Sequence, residues 1–229
     1  MGLNQSKGNM YEFATHTWNT VKGKCPHDCS YCYMKGIAKR FGKSQPPPYF
    51  DEKELKTNLG EGNFIFVGSS NDLFANDMPS EWVFKTLDHC NKFDNRYLFQ
   101  SKNPKRMYDF SNHPVFARSV VCTTIESDTK YYGLMGRTPY PNDRSFDMEY
   151  LSERGITTYV TIEPIMDFDL YSFVEIIKRC NPVQVNIGAD SGRNNLPEPP
   201  KEKVLELIAA LEEFTVVKQK CNLSRILKP

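Results

Sequence analysis

Residues Phe64-Ile65-Phe66-Val67-Gly68-Ser69-Ser70-Asn71-Asp72 read as a short buried strand that stops at a glycine and a polar turn. A helix-length amphipathic segment, from about Ser80 to Asn91, follows it. The same unit recurs along the chain. Further strands are predicted at Tyr11 to Thr17, Arg96 to Gln100, Ser119 to Ile125, Thr158 to Ile162 and Val183 to Ile187, each ending in polar residues or glycine. β-rich runs alternating with helical segments are the pattern of a parallel sheet with crossover helices. Six such units fit a partial (β/α) barrel better than a complete eight-unit one.

Helices are expected from Tyr33 to Phe41, near Asp51 to Leu59, near Phe146 to Arg154 and from Leu170 to Arg179. Gly42 and the Pro46-Pro47-Pro48 run break the chain after the first, and Pro104 opens a short helix after the third strand. Thr129 to Asp143 has no clear period and reads as a long loop. Beyond a proline-rich linker at Leu196 to Pro200, the spacing of Val204, Leu207, Ile208 and Leu211 describes an amphipathic helix. A last strand, Thr215 to Lys218, is expected to close the sheet.

Nothing separates the 229 residues into halves, so 1–229 reads as one domain. A hydrophobic fraction of 39% supplies a sizeable core, and a net charge of +1 removes the simple electrostatic case for a nucleic-acid binder. No run approaches the roughly 18 to 20 apolar residues of a membrane span, and Met1 to Asn9 is polar, so a cytoplasmic protein without a membrane partner is expected. The cysteine count of seven is odd, which argues against a secreted disulfide framework. Cys90, Cys122, Cys180 and Cys221 are scattered among apolar neighbours and read as core thiols.

The other three cysteines form Cys25-Pro26-His27-Asp28-Cys29-Ser30-Tyr31-Cys32-Tyr33, a C-x3-C-x2-C pattern on a loop between the first strand and the first helix. Three thiolates can ligate three irons of a [4Fe–4S] cubane and leave the fourth open to the amino and carboxylate groups of a small molecule. The competing reading is a structural zinc site completed by His27 or a remote ligand, in a zinc- or cluster-stabilised nucleic-acid-binding module without catalysis.

With an aromatic, Tyr31, just before the last cysteine, this pattern resembles the signature of the radical-SAM superfamily. The resemblance implies a partial (β/α)6 barrel of the radical-SAM type, a [4Fe–4S] cluster on Cys25, Cys29 and Cys32, and reductive cleavage of S-adenosylmethionine to a 5′-deoxyadenosyl radical. It also implies an electron donor such as flavodoxin or ferredoxin. Asn9-Met10-Tyr11, Thr17-Trp18-Asn19, Gly23-Lys24-Cys25-Pro26, Thr161-Ile162-Glu163-Pro164, Gly188-Ala189-Asp190-Ser191-Gly192 and Lys218-Gln219 look like landmarks of a phage- and prophage-associated radical-SAM-like family of unknown function. Spore photoproduct lyase is similar more distantly.

Chemistry in parallel βα barrels gathers at the C-terminal strand ends. By that rule and the resemblance, Tyr31 would lie against adenine, and Gly68, Ser69, Ser70 and Asp72 would approach the methionine amino group. Ser70 or Asp72 could instead cap the next helix. Thr124 and Glu126 end the fourth strand, where Glu126 would accept from the ribose hydroxyls. Glu163 would touch cofactor or substrate, or else form an internal salt bridge. Asn186, Ile187 and Gly188 would pack against adenine, with Ile187 as the apolar contact. Asp190, Arg193, Lys218 and Gln219 are further candidates at the mouth. Tyr131, Tyr132, Arg137 and Tyr140 mix aromatic and basic side chains able to stack on bases, or to pack among themselves. Nucleic acid or a nucleotide is the first expected substrate, with peptide or small molecule as alternatives.

Overall fold

In the computed structural model, which describes residues 2–228, the order of elements is β1 (Asn4–Gln5), β2 (His16–Trp18), β3 (Val21–Lys22), α1 (Tyr33–Arg40), β4 (Tyr49–Phe50), β5 (Phe64–Val67), α2 (Ser80–Asn91), β6 (Arg96–Gln100) and β7 (Ser119–Thr124). It continues with α3 (Pro141–Glu153), β8 (Thr157–Ile162), α4 (Leu170–Arg179), β9 (Gln184–Ile187), α5 (Lys201–Glu212), β10 (Val216–Gln219) and α6 (Ser224–Leu227). One sheet runs β1-β2-β5-β6-β7-β8-β9-β10, with every pair parallel except β1 with β2. The fold is the expected α/β type, a partial barrel with a mostly parallel sheet. No helix among the described residues is long and apolar enough to cross a membrane.

Alternation along the strands builds two cores. Ile65, Val67, Tyr97, Phe99, Val121, Val160, Ile162, Val185 and Ile187 face the helices and join the large core there. Phe64, Phe66, Leu98, Val120 and Cys122 point to the concave side with Tyr11 and Ala14, where Phe13 and Tyr159 pack against them. Phe13 contacts Phe64 on β5 at 5.0 Å and Tyr159 on β8 at 5.4 Å between ring centroids. Those strands would lie about 14 Å apart in a flat sheet, so the sheet must curl around Phe13.

That plug corrects the first predicted strand. Only His16–Trp18 pairs with β5, while Tyr11 to Ala14 leave the edge to fill the concave face, since a curled open sheet must cover its inner apolar residues. The last strand also differs from expectation: β10 extends the sheet beside β9 and pairs with neither β1 nor β2, so the sheet stays open. The polar helix expected at Asp51 to Leu59 is a 3-10 turn, Glu52–Lys56, capped by Asp51. Helix α3 begins five residues before its predicted start because Pro141 opens it and the buried positions of its first turns are Arg144 and Ser145, with the apolar Met148 and Leu151 only further on.

Candidate functional site

At the C-terminal ends of the strands lies a cavity of about 420 Å³. Cys25, Cys29 and Cys32 line it together with Tyr31, Gly68, Ser69, Ser70, Asp72, Thr124 and Glu163. The polar turn after β5 is tied to the cysteine side of the mouth: Tyr33 donates to the Ser69 carbonyl at 2.7 Å, and Asn71 donates to the Gly23 carbonyl at 3.1 Å. Gly68 takes φ +80°, a backbone turn that favours glycine.

The cysteine loop is held from two sides. On one, His27 Nε2 lies 2.9 Å from Asp72 Oδ2. On the other, the long loop before α3 grips the backbone: Ser30 N–H donates to Leu134 O at 2.8 Å, Arg137 N–H to His27 O at 2.7 Å, and Arg137 Nε to Pro26 O at 2.9 Å. Gly136, at φ +62°, sits so close that a Cβ there would fall 2.1 Å from His27 O. The Cys29 thiol is buried and donates to Met135 O at 3.3 Å. Burial, helped by Asp72, pushes the Cys25 thiol up to about 12, and burial raises Cys29 as well. Both thiols therefore keep their protons until a cation replaces them.

Two kinds of metal centre would make different demands on this donor set. One tetrahedral ion draws its sulfurs to within about 4 Å of one another. Among the described residues no three His, Cys, Asp or Glu side chains converge in that way, and His27 is engaged with Asp72. A cubane takes each thiolate on a different iron and does not demand that convergence. All seven cysteines are free, so three thiols on one loop at one cavity fit a cluster.

Four expected cofactor residues do not line the cavity. Glu126 is wholly buried beneath it, and both of its oxygens are taken: Oε1 accepts from Tyr31 and Lys102, Oε2 from Arg144 Nη1 at 2.8 Å. Burial alone would raise its carboxyl, but Arg144 and Lys102 outweigh that and hold it at about 2. This corrects the ribose assignment, because no lone pair faces a ligand. Ile187 points to the helix side, so it cannot be the adenine contact. Asn186 is bonded to Gln184 and lines a separate hollow of about 350 Å³. Gly188 serves Glu163 instead, since a Cβ there would meet the Glu163 carboxyl at 2.9 Å.

Asp72 needs a correction of a different kind. It borders the cavity, yet its carboxylate is saturated by His27, Ser101 Oγ at 3.0 Å, Lys102 N–H at 2.8 Å and Phe74 N–H at 3.0 Å. Burial opposes the charge, and His27 with these donors still holds the carboxyl below its usual range. Glu163 forms the internal ion pair weighed as its alternative, with Lys220, and accepts from Asn9 at 2.7 Å and Asn222 at 2.8 Å. On the long loop, Tyr131 donates to Asp167 O at 2.9 Å and Arg137 anchors the cysteine loop, while Tyr132 and Tyr140 are exposed and bonded to each other. Arg137, with its backbone N–H and Nε thus engaged, works as scaffold. Asp190 is bonded within its own turn, Arg193 is exposed, and Lys218 and Gln219 line the 350 Å³ hollow.

Of the five lysines that line the cavity, Lys7, Lys24, Lys35, Lys102 and Lys220, sequence reasoning missed the two at the ends of sheet strands, Lys102 and Lys220. Lys102 stands two residues past β6, where the strand-end rule could have found it. Lys220 follows the Lys218-Gln219 landmark and lies 4.6 Å over the Tyr11 ring.

A family model described as "Protein of unknown function (DUF5131)" matches residues 9–167; its description prints no reaction and no phage association. No curated protein matches the chain in sequence. Among solved structures, a spore photoproduct lyase mutant with bound AdoMet and dinucleoside spore photoproduct is similar at TM-score 0.67 and 12% identity, over 92% of this chain and 78% of that one. A second spore photoproduct lyase mutant is similar at TM-score 0.68 and 13% identity, over 95% of this chain and 78% of that one. A third structure, the lyase complexed with dinucleoside spore photoproduct, gives TM-score 0.65 at 13% identity, over 92% and 78%. At these identities the likeness is one of fold.

Proposed function

We propose that this chain, which belongs to the DUF5131 family of proteins of unknown function, is a radical-SAM enzyme that holds a [4Fe–4S] cluster on Cys25, Cys29 and Cys32. One observation carries the reading: the three thiols of the C-x3-C-x2-C loop and the ends of β5, β6, β7 and β8 share a single cavity. When bound, the cluster would supply one electron to the sulfonium of S-adenosylmethionine, releasing methionine and a 5′-deoxyadenosyl radical.

The chain's own contribution is to hold and orient. Tyr31 is fixed between Glu126 and the Lys102 ammonium, which lies 5.3 Å from its ring centre, so the aromatic before Cys32 keeps one orientation. Burial and the Glu126 carboxylate keep its hydroxyl protonated and donating. Gly68, Ser69 and Ser70 offer small residues for close approach by a ligand backbone. The lyases of the same fold hold a dinucleoside, which supports a nucleotide or nucleic acid as substrate.

Anaerobic reconstitution tests the reading. About four irons per chain with a brown absorption are expected, lost in Cys25→Ala, Cys29→Ala or Cys32→Ala and kept in Cys90→Ala. Under dithionite the protein should convert S-adenosylmethionine to 5′-deoxyadenosine and methionine. Stoichiometric zinc with no iron uptake would sink the proposal.

A further inference from the structure

The concave face of the sheet is not uniform. Over β5 to β8 it is apolar and filled by the plug of Tyr11 to Ala14, whereas over β9 and β10 it is polar and open. The hollow of about 350 Å³ lies there, between the plug and the last two strands, and is within the usual size of small-ligand sites, about 300 to 1,000 Å³. Two of its lining groups are brought together by the sheet. Tyr159 stands opposite Gln184 across β8 and β9, and the Phe13 ring packs at 88° against Tyr159 with centroids 5.4 Å apart. A partly buried aromatic ring thus lies beside a carboxamide. That carboxamide is aimed: Gln184 Nε2 donates to Asn186 Oδ1 at 2.8 Å, which turns Oε1 the other way and leaves it without a donor among the described residues. Lys218, opposite Asn186 on β10, and Glu12 also line the hollow, are exposed, and make no ion pair among the described residues.

We infer that this hollow holds one base of a single-stranded nucleic acid; the inference rests on the nucleotide substrate proposed above. A nucleobase offers a flat face to stack on an aromatic ring and an N–H for a carbonyl oxygen, which Phe13 and Gln184 Oε1 supply. Its ring nitrogens and carbonyl oxygens suit the Lys218 ammonium. A phosphate in the same place would meet the Glu12 carboxylate with Lys218 alone to offset it, so the hollow favours a neutral ligand with donors and acceptors over an anion. Base pairing in a duplex occupies these edges, which selects a single strand. Asn9, Met10, Tyr11 and Lys220 line both this hollow and the cavity that holds the three cysteines. One wall therefore separates the two, and adjacent units of one strand could occupy both.

The test is fluorescence anisotropy on the reduced, cluster-free full chain, with a labelled mixed-sequence DNA decamer and an abasic decamer of the same length. The unaltered chain should bind the decamer about tenfold or more tightly than the abasic one, and in Gln184→Leu, and separately in Phe13→Leu, that margin should shrink about fivefold or more. Gln184→Leu leaves the plug intact, so its result stands even where Phe13→Leu unfolds. Equal margins in the variants and the unaltered chain, or no margin in the unaltered chain, would overturn the base subsite alone. Binding of an unstructured peptide with no binding of either DNA would overturn the nucleotide substrate and this subsite with it. Failure to take up iron would overturn the cluster and leave this result standing, since the binding is measured without it.

Discussion

Glu126 and Glu163 stand just beyond β7 and β8, adjacent strands of one sheet, and the strand-end rule treats them alike. The structure does not. Glu126 lies under the floor of the cavity with Arg144, Lys102 and Tyr31 around it, sealed from solvent. Glu163 borders the cavity, with a side chain 16% exposed, and joins Asn9 from the N-terminal segment to Lys220 and Asn222 from the C-terminal one. The first is a foundation for Tyr31. The second is a clasp over the open side of a sheet whose edge strands do not meet. Equivalent places in a repeated βα plan thus acquire different work, because one carboxylate is enclosed by neighbouring elements and the other faces a gap.

Removing the enclosed acid should have the largest effect. Glu126→Ala leaves the fully buried Arg144 guanidinium without its carboxylate, and loss of one partner of a buried pair costs about 3 to 5 kcal/mol. Urea unfolding measures this, and a loss below about 1 kcal/mol would mean that water reaches the cluster of charges. The same acid sets a pH response. Its folded-state carboxyl lies at about 2, below the ordinary 4.5, so its stabilisation is complete above 4.5 and fades as pH falls through 2. Urea midpoints between pH 6 and pH 2 should fall less steeply in Glu126→Gln than in the unaltered chain.

An intermediate effect is expected on the cysteine loop, which depends on a close backbone approach. Gly136→Ala combines a left-handed backbone angle with a Cβ 2.1 Å from His27 O. It should destabilise the protein by more than about 1 kcal/mol and, by pushing the loop between Cys25 and Cys29 out of place, lower iron uptake on reconstitution. Full uptake would show that the loop tolerates displacement. Glu163→Gln should do least: the amide oxygen keeps an acceptor for Asn9 and Asn222, and Lys220, which borders the cavity rather than lying sealed from solvent like Arg144, loses its ion pair at a smaller cost than Glu126→Ala. A loss as large as that of Glu126→Ala would erase the distinction between foundation and clasp.

Much of the scaffold is legible without coordinates. The bounds of β5, α2, β6 and α4 fall where the apolar period and the flanking turns place them, because these signals are local. The concave plug was not legible, since Tyr11 to Ala14 use the same β-rich letters whether they pair in a sheet or fill it. Nor were the partners of Lys102, since Glu126 and Tyr31 reach it from other elements, although its place two residues past β6 could have been read.

By itself the sequence determined the alternation of strands and helices, and with it the fold class, together with the clustering of three thiols on one loop. Those depend on residues near one another in the chain. Which carboxylates face the cavity, that Ile187 turns to the helices, that His27 meets Asp72 and that the sheet stays open under a clasp were decided only by tertiary structure. The reason is physical: a strand-end side chain points in or out by register and curl, and a buried charge takes whatever partner the packing brings within reach.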